Sequence, residues 1–120
     1  MAGLNLVQII GNLGSVPELR FTPNGNATTS FSVAVSDNRI DKDGNKQEET
    51  EWFSVITWNK LAETCNQFLS KGSKVYVEGR FRTRSWETDG QKHYKSEIIS
   101  NKVLFLDKKV SPDGENKEGE

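Results

Sequence analysis

Residues 52–58, WFSVITW, alternate in a way that suits an extended strand and not a helix. Side chains on a strand point to opposite faces with a period of two. Trp52, Ser54, Ile56 and Trp58 therefore share one face, and Phe53, Val55 and Thr57 share the other. Two of the chain's three tryptophans thus stand on one side of a strand whose opposite side already offers apolar core. Any fold for this chain must bury Phe53 and Val55 and accommodate a tryptophan face beside them.

The same period recurs along the chain. LNLVQII (4–10) reads as a buried strand ending at Gly11 and Gly14. ELRFT leads into PNGN, where Pro23, Asn24 and Gly25 supply turn geometry, and TSFSVAV follows with Phe31, Val33 and Val35 inward and Ser30, Ser32 and Ala34 outward. That pair predicts a hairpin. Residues 37–51, DNRIDKDGNKQEETE, are polar around Gly44 with Ile40 as the sole apolar side chain, and read as a long solvated hairpin loop.

NKLAETCNQFLSKG breaks the alternation. Leu61, Ala62, Cys65, Phe68 and Leu69 mark one helical face, with Asn59 as N-cap and Gly72 as the C-terminal stop. KVYVEGRFRTRSW alternates again, turns at TDGQ, and HYKSEIISNKVLFL returns. The count is five strands with one helix between the third and fourth. Closing such a sheet into a barrel removes its edges, and the helix plugs one end. That order is the OB-fold: all-β, a five-stranded barrel with one helix. It occupies residues 1–107, and residues 108–120 form a short polar tail expected to be disordered.

Composition narrows the chemistry. A chain of 120 residues makes one domain and can bury one core. It has no apolar run of about 18 residues or more, so no membrane-spanning helix is expected. Its N-terminus lacks the pattern of a secretory signal. A lone cysteine, Cys65, forbids an internal disulfide and fits a reducing compartment. With one histidine and one cysteine, no Cys/His zinc site can close; His93 alone could serve as a base but has no second histidine to orient it. GNLG (11–14) lacks the spacing, lysine and helix of a phosphate-binding loop. No catalytic residue, metal or cofactor is expected.

Net charge is −1, but it is unevenly placed: residues 71–109 hold ten basic against five acidic residues. In that segment Lys74, Tyr76, Glu78, Arg80, Arg82, Arg84 and Trp86 share one strand face. Val75, Val77, Gly79, Phe81 and Thr83 share the other and suit a barrel interior. A bulge at Gly79 would swap the faces on one side of it, yet Arg80, Arg82, Arg84 and Trp86 would still stay together.

Single-stranded nucleic acid asks for cations along its backbone and flat apolar plates for its bases. Trp52 and Trp58 on one strand, with Arg82, Arg84 and Trp86 on another, offer both. Taken singly, a tryptophan on a strand is more often core, and an arginine stripe more often a solvated face. Their interleaving brings nucleic-acid binding level with those readings.

At this point the sequence resembles the bacterial-type single-stranded DNA-binding proteins over residues 5–106. The resemblance rests on NLVQIIGNLGSVPELRFTPNGNATTSFSVAVS, then ETEWFSVITWNKLAE, then LSKGSKVYVEGRFRTRSW, in that order and spacing. It implies an OB-fold protomer, a homotetramer, and sequence-tolerant wrapping of single-stranded DNA in replication, recombination and repair by a cytoplasmic, nucleoid-associated protein. Trp52, Trp58 and Trp86 fall at base-stacking positions, with Trp58 where a phenylalanine is common. A fourth stacking position falls near Arg39, which implies a phosphate or cation–π contact there instead. Lys42, Lys60, Lys71, Arg82 and Arg84 match basic positions along the DNA path, and Tyr76, Arg80 and Tyr94 are possible further surface contacts.

The tail departs from the family pattern. Members usually end in a long linker and an acidic tip with a terminal aromatic that recruits replication and repair proteins. SPDGENKEGE is short and acidic and has no aromatic, so tail-mediated recruitment is not expected. Either the chain is truncated or the protein covers DNA without it. Two other functions stay open: an OB-fold primosome accessory or RNA-binding module, and an OB-scaffold nuclease. The last would need clustered carboxylates, and Glu48, Glu49 and Glu51 sit instead in a charged loop beside Lys46.

Overall fold

The alternating segments become strands, and most bury the face their sequence assigns. The computed structural model describes residues 3–107; the expected 108–120 tail lies outside the described residues. The elements are β1 (Val7–Leu13), β2 (Glu18–Phe21), β3 (Ala27–Ile40), β4 (Lys46–Trp58), α1 (Asn59–Phe68), β5 (Lys74–Thr88) and β6 (Gln91–Phe105). Hydrogen bonding orders the sheet β1-β5-β6-β4-β3-β2. A further β1–β3 pairing at Asn12↔Ala34 and Leu13↔Val33 closes five strands into a barrel. Neighbours run antiparallel except β4 and β6, which are parallel at Val55↔Ile98 and Ile56↔Ile99. This is the expected OB-fold.

One strand lies outside the count of five. β2 pairs only with the N-terminal part of β3, from Glu18↔Ser30 to Phe21↔Ala27, and completes the ELRFT hairpin without joining the barrel. Gly25 turns it at φ +87°, a left-handed conformation that glycine adopts without steric cost.

The core collects the inward parity of every barrel strand: Leu13, Phe31, Val33, Val55, Val75, Val77 and Ile98. Cys65 and Leu69 cover one end from α1 and the residue after it. Two buried threonines enter this core with their hydroxyls satisfied. Thr29 donates to the carbonyl of Ala62 at 2.7 Å and Thr57 donates to the carbonyl of Thr29 at 3.0 Å, tying the helix to β3 and β4.

Five local expectations are corrected. Residues 37–51 are not a long loop: β3 and β4 stay paired out to Ile40↔Lys46, leaving a turn of five residues, 41–45. Both faces of this arm are solvated, so its strands carry no apolar alternation to betray them. The turn is built by Asp41, whose carboxylate accepts the backbone N–H groups of Asp43 and Asn45 at 2.9 and 2.8 Å. Those bonds, that of Asn45 foremost, hold its carboxyl below the ordinary range.

Asn59 does not cap α1. The cap position is Trp58, which has no side-chain acceptor, and Asn59 itself lies at φ +59°. Gly72 closes the turn after the helix rather than the helix itself, at φ +96° with its N–H donating to the carbonyl of Leu13. Phe68 is exposed and packs against Phe105 at 6.2 Å between ring centroids. Leu4 and Leu6, assigned to the first strand, precede it and stand exposed.

Candidate nucleic-acid interface

The outward parity of β4 is what the sequence proposed. Trp52 is 59% exposed and Trp58 37%, while Val55 and Thr57 between them are buried. The neighbouring strands extend that face. Parallel pairing sets Ile99 of β6 beside Ile56, and antiparallel pairing sets Arg80 opposite Ile99, Arg82 opposite Glu97 and Trp86 opposite His93. Opposed residues share a face, so the tryptophans of β4 and the arginines and Trp86 of β5 lie on one side of one sheet.

A bulge does occur beside Gly79, but the extra residue is Asn101 on β6. The alternation of β5 is therefore unbroken. Gly79 is required there: a β-carbon would stand 2.2 Å from the carbonyl oxygen of Ile99. Beyond the bulge the β5–β6 hairpin leaves the barrel, so Phe81 (47% exposed) and Thr83 face solvent and not the interior as expected. The hairpin turns at Asp89 and Gly90, both at positive φ, as TDGQ predicts.

Trp86 is 41% exposed and carries two neighbours. The guanidinium of Arg84 lies 4.8 Å from its ring centroid, a cation–π distance. His93 stacks against it at 5.4 Å and 23°. Arg84 and Arg82 both pair with Glu97, at 3.2 and 3.6 Å between nitrogen and oxygen.

A second local feature sits at Trp58. A pocket of about 410 Å³ is lined by that indole, Arg80, Ile99, Asn101 and the N-terminal Asn5 and Leu6. Asn5 is stitched to β5 through both its amide groups, accepting from the Phe81 N–H and donating to the Phe81 carbonyl, each at 2.8 Å.

The remaining candidates divide. Arg39 lies on the β3–β4 arm, paired with Glu49 across the strands. Lys42 is in the turn of that arm, Lys60 follows Trp58 in the first turn of α1, and Lys71 lies between α1 and β5; all three are exposed. None of the three enters an ion pair among the described residues. Tyr76 shares the parity of Arg80 but is engaged elsewhere: its hydroxyl donates to Glu78 at 2.6 Å and accepts from Gln8. The carboxylate of Glu78 holds that phenol above its ordinary range.

Tyr94 pairs with Ser85 and so faces away from Trp86. Of the three glutamates a nuclease would need, Glu49 is held by Arg39 and Glu48 points to the opposite face of the arm. No cluster of three metal-ligating side chains occurs among the described residues, and no helix there is long and apolar enough to cross a membrane.

Three residues at the face escape a strand-by-strand reading: Glu97, His93 and, in the connection after β1, Gly14, which the Trp52 ring abuts. The turn at 89–90 alone would have placed the first two, because a two-residue turn fixes the register of both strands.

Comparison with known proteins agrees with the fold. The model of the single-strand binding protein family matches residues 4–106. A Chlorobaculum tepidum relative, "Single-stranded DNA-binding protein 1", is 45% identical over 93% of this chain and 70% of its own length. A Xylella fastidiosa relative of the same name is 47% identical over 91% of this chain and 82% of its own. The solved structure of Plasmodium falciparum SSB in complex with ssDNA superposes with a TM-score of 0.82 at 28% identity, covering 89% of this chain and 98% of that one.

Proposed function

The chain belongs to the single-strand binding protein family, and we propose that it coats single-stranded DNA through the outward face of β4, β5 and β6. The observation that carries the site is the placement of three exposed tryptophans and three arginines on one side of one sheet. Trp52, Trp58 and Trp86 stack on bases, each stack contributing about 1–3 kcal/mol whatever the base, which makes binding sequence-tolerant. Arg80, Arg82 and Arg84, with Lys60 beside Trp58, neutralise phosphates and release counterions. Arg39, Lys42 and Lys71 serve the same backbone from the arm and the α1–β5 connection. Tyr76 and Tyr94 take no part, since one is bonded within the barrel wall and the other faces away.

The chemistry is stacking and charge neutralisation, with no catalytic step, in the cytoplasm during replication, recombination and repair. The protomer acts in a homotetramer. The exposed Leu6 and Ile10 flank and line β1, whose residues 7–11 pair with β5 alone and leave an open edge as an apolar seam for a second copy.

Titration with poly(dT) tests the function. Tryptophan fluorescence should quench, added salt should weaken binding, and duplex DNA should do neither. Unchanged fluorescence at saturating poly(dT) would remove the stacking assignment.

A further inference from the structure

One carboxylate lies in the middle of the basic, aromatic face. Glu97 is only 3% exposed, stands opposite Arg82 in register, and lines a small cavity of about 210 Å³ with Trp52 and Ser54. A surface that binds phosphates gains nothing from a negative charge at its centre, which repels the ligand and cancels a cation. Burying a carboxylate is also costly unless it is well paired. The pairing explains its place. Arg84 donates from Nε and Nη2 to the two Glu97 oxygens at 3.4 and 3.2 Å, a two-pronged grip, while Arg82 Nη2 lies 3.6 Å from Oε1. That grip leaves the Arg84 guanidinium over the Trp86 ring, with His93 stacked on the same indole.

We propose that Glu97 is a positioning residue of the DNA site: it fixes Arg82 and Arg84 and, through Arg84, holds the Trp86 indole in place for a base. This rests on the reading of Trp86 as a stacking plate. Two arginines sharing one carboxylate keep a net positive charge and unused N–H donors for phosphate. The free protein thus meets DNA with its third plate already oriented, so less side-chain freedom is lost on binding.

Simple electrostatics makes the opposite prediction. Removing the carboxylate adds one positive charge to the face, which by charge alone tightens binding and steepens its salt dependence. Glu97→Gln separates the two. It is made in a W52F/W58F background, where Trp86 is the only reporter, and folding is checked by circular dichroism and a thermal melt. The expected result is binding to oligo(dT) weaker by about five- to tenfold, the lower part of one stacked base's contribution. Trp86 quenching at saturation should be smaller and its anisotropy in the free protein lower.

Equal or tighter binding with unchanged quenching overturns the proposal. Should Glu97→Gln fail to fold, Arg84→Lys keeps the charge but loses the two-pronged grip. It should reproduce the loss of Trp86 quenching, and unchanged quenching there overturns the proposal as well. Absent quenching in the W52F/W58F parent removes the stacking role of Trp86 itself, and this proposal with it; quenching that both variants leave intact defeats the Glu97 role alone.

Discussion

The edge of the Trp52 indole abuts Gly14, so close that a β-carbon on that glycine would stand 2.2 Å from Cζ3 of the ring. A residue on the outward face of β4 thus meets the connection after β1, and the absence of a side chain there leaves room for the edge of the indole. Gly14→Ala should push the ring out of place while leaving the core untouched. Affinity for oligo(dT) should fall by up to about 1–3 kcal/mol, the contribution of one stacked base. The melting temperature should change little. Fluorescence titration beside a thermal melt reads both.

Gly79 makes a contrasting case. Its missing side chain faces the backbone carbonyl of Ile99, which has no rotamer to give. Gly79→Ala must move the β5–β6 pairing at the Asn101 bulge, and overpacking of this kind costs about 1–3 kcal/mol or more. The expected outcome in denaturant titration is a clear loss of stability, with binding per folded molecule much less affected.

These two glycines show what the sequence could and could not tell. Parity along single strands was legible: Phe53 and Val55 in, Trp52 and Trp58 out, followed directly from alternation. The β3–β4 arm was hidden because Ser36–Ile40 and Lys46–Glu51 face water on both sides, and a strand without a buried face has no periodic signature. Phe81 read as interior because alternation does not reveal where a hairpin leaves the barrel. Gly14 and Trp52 meet only in three dimensions. Glu97 needed strand register, which the Asp89–Gly90 turn contained but which parity on one strand does not supply.

Cys65 gives a pH prediction. Burial pushes its thiol up to about 11, only partly opposed by a hydrogen bond with Thr57. A thiol whose pKa is raised in the folded state binds its proton more tightly there than in the unfolded chain. It therefore adds stability that is fully present below the unfolded value near 9.0 and is lost as pH rises toward 11. Unfolding measured across that window should show stability falling with pH, and the slope should be shallower in Cys65→Ala. In the native protein at pH 8 the thiol should react with a disulfide reagent only as fast as the fold opens.

The exposed Leu6 and Ile10 of a single chain predict self-association. Light scattering at micromolar concentration should return the mass of a tetramer, and Ile10→Lys should shift it to a smaller species. A wild-type monomer would remove wrapping around a tetramer from the mechanism.

Trp52→Ala with Trp58→Ala tests most directly whether the outward face of β4 is a binding surface or core. Each variant is melted and then titrated with oligo(dT) at fixed salt. Stacking plates predict melting temperatures close to that of the parent, with affinity lower by about 1–3 kcal/mol for each ring removed. Core residues would give the reverse, a loss of about 3–5 kcal/mol in stability with unchanged affinity in whatever remains folded, and that result would contradict the assignment.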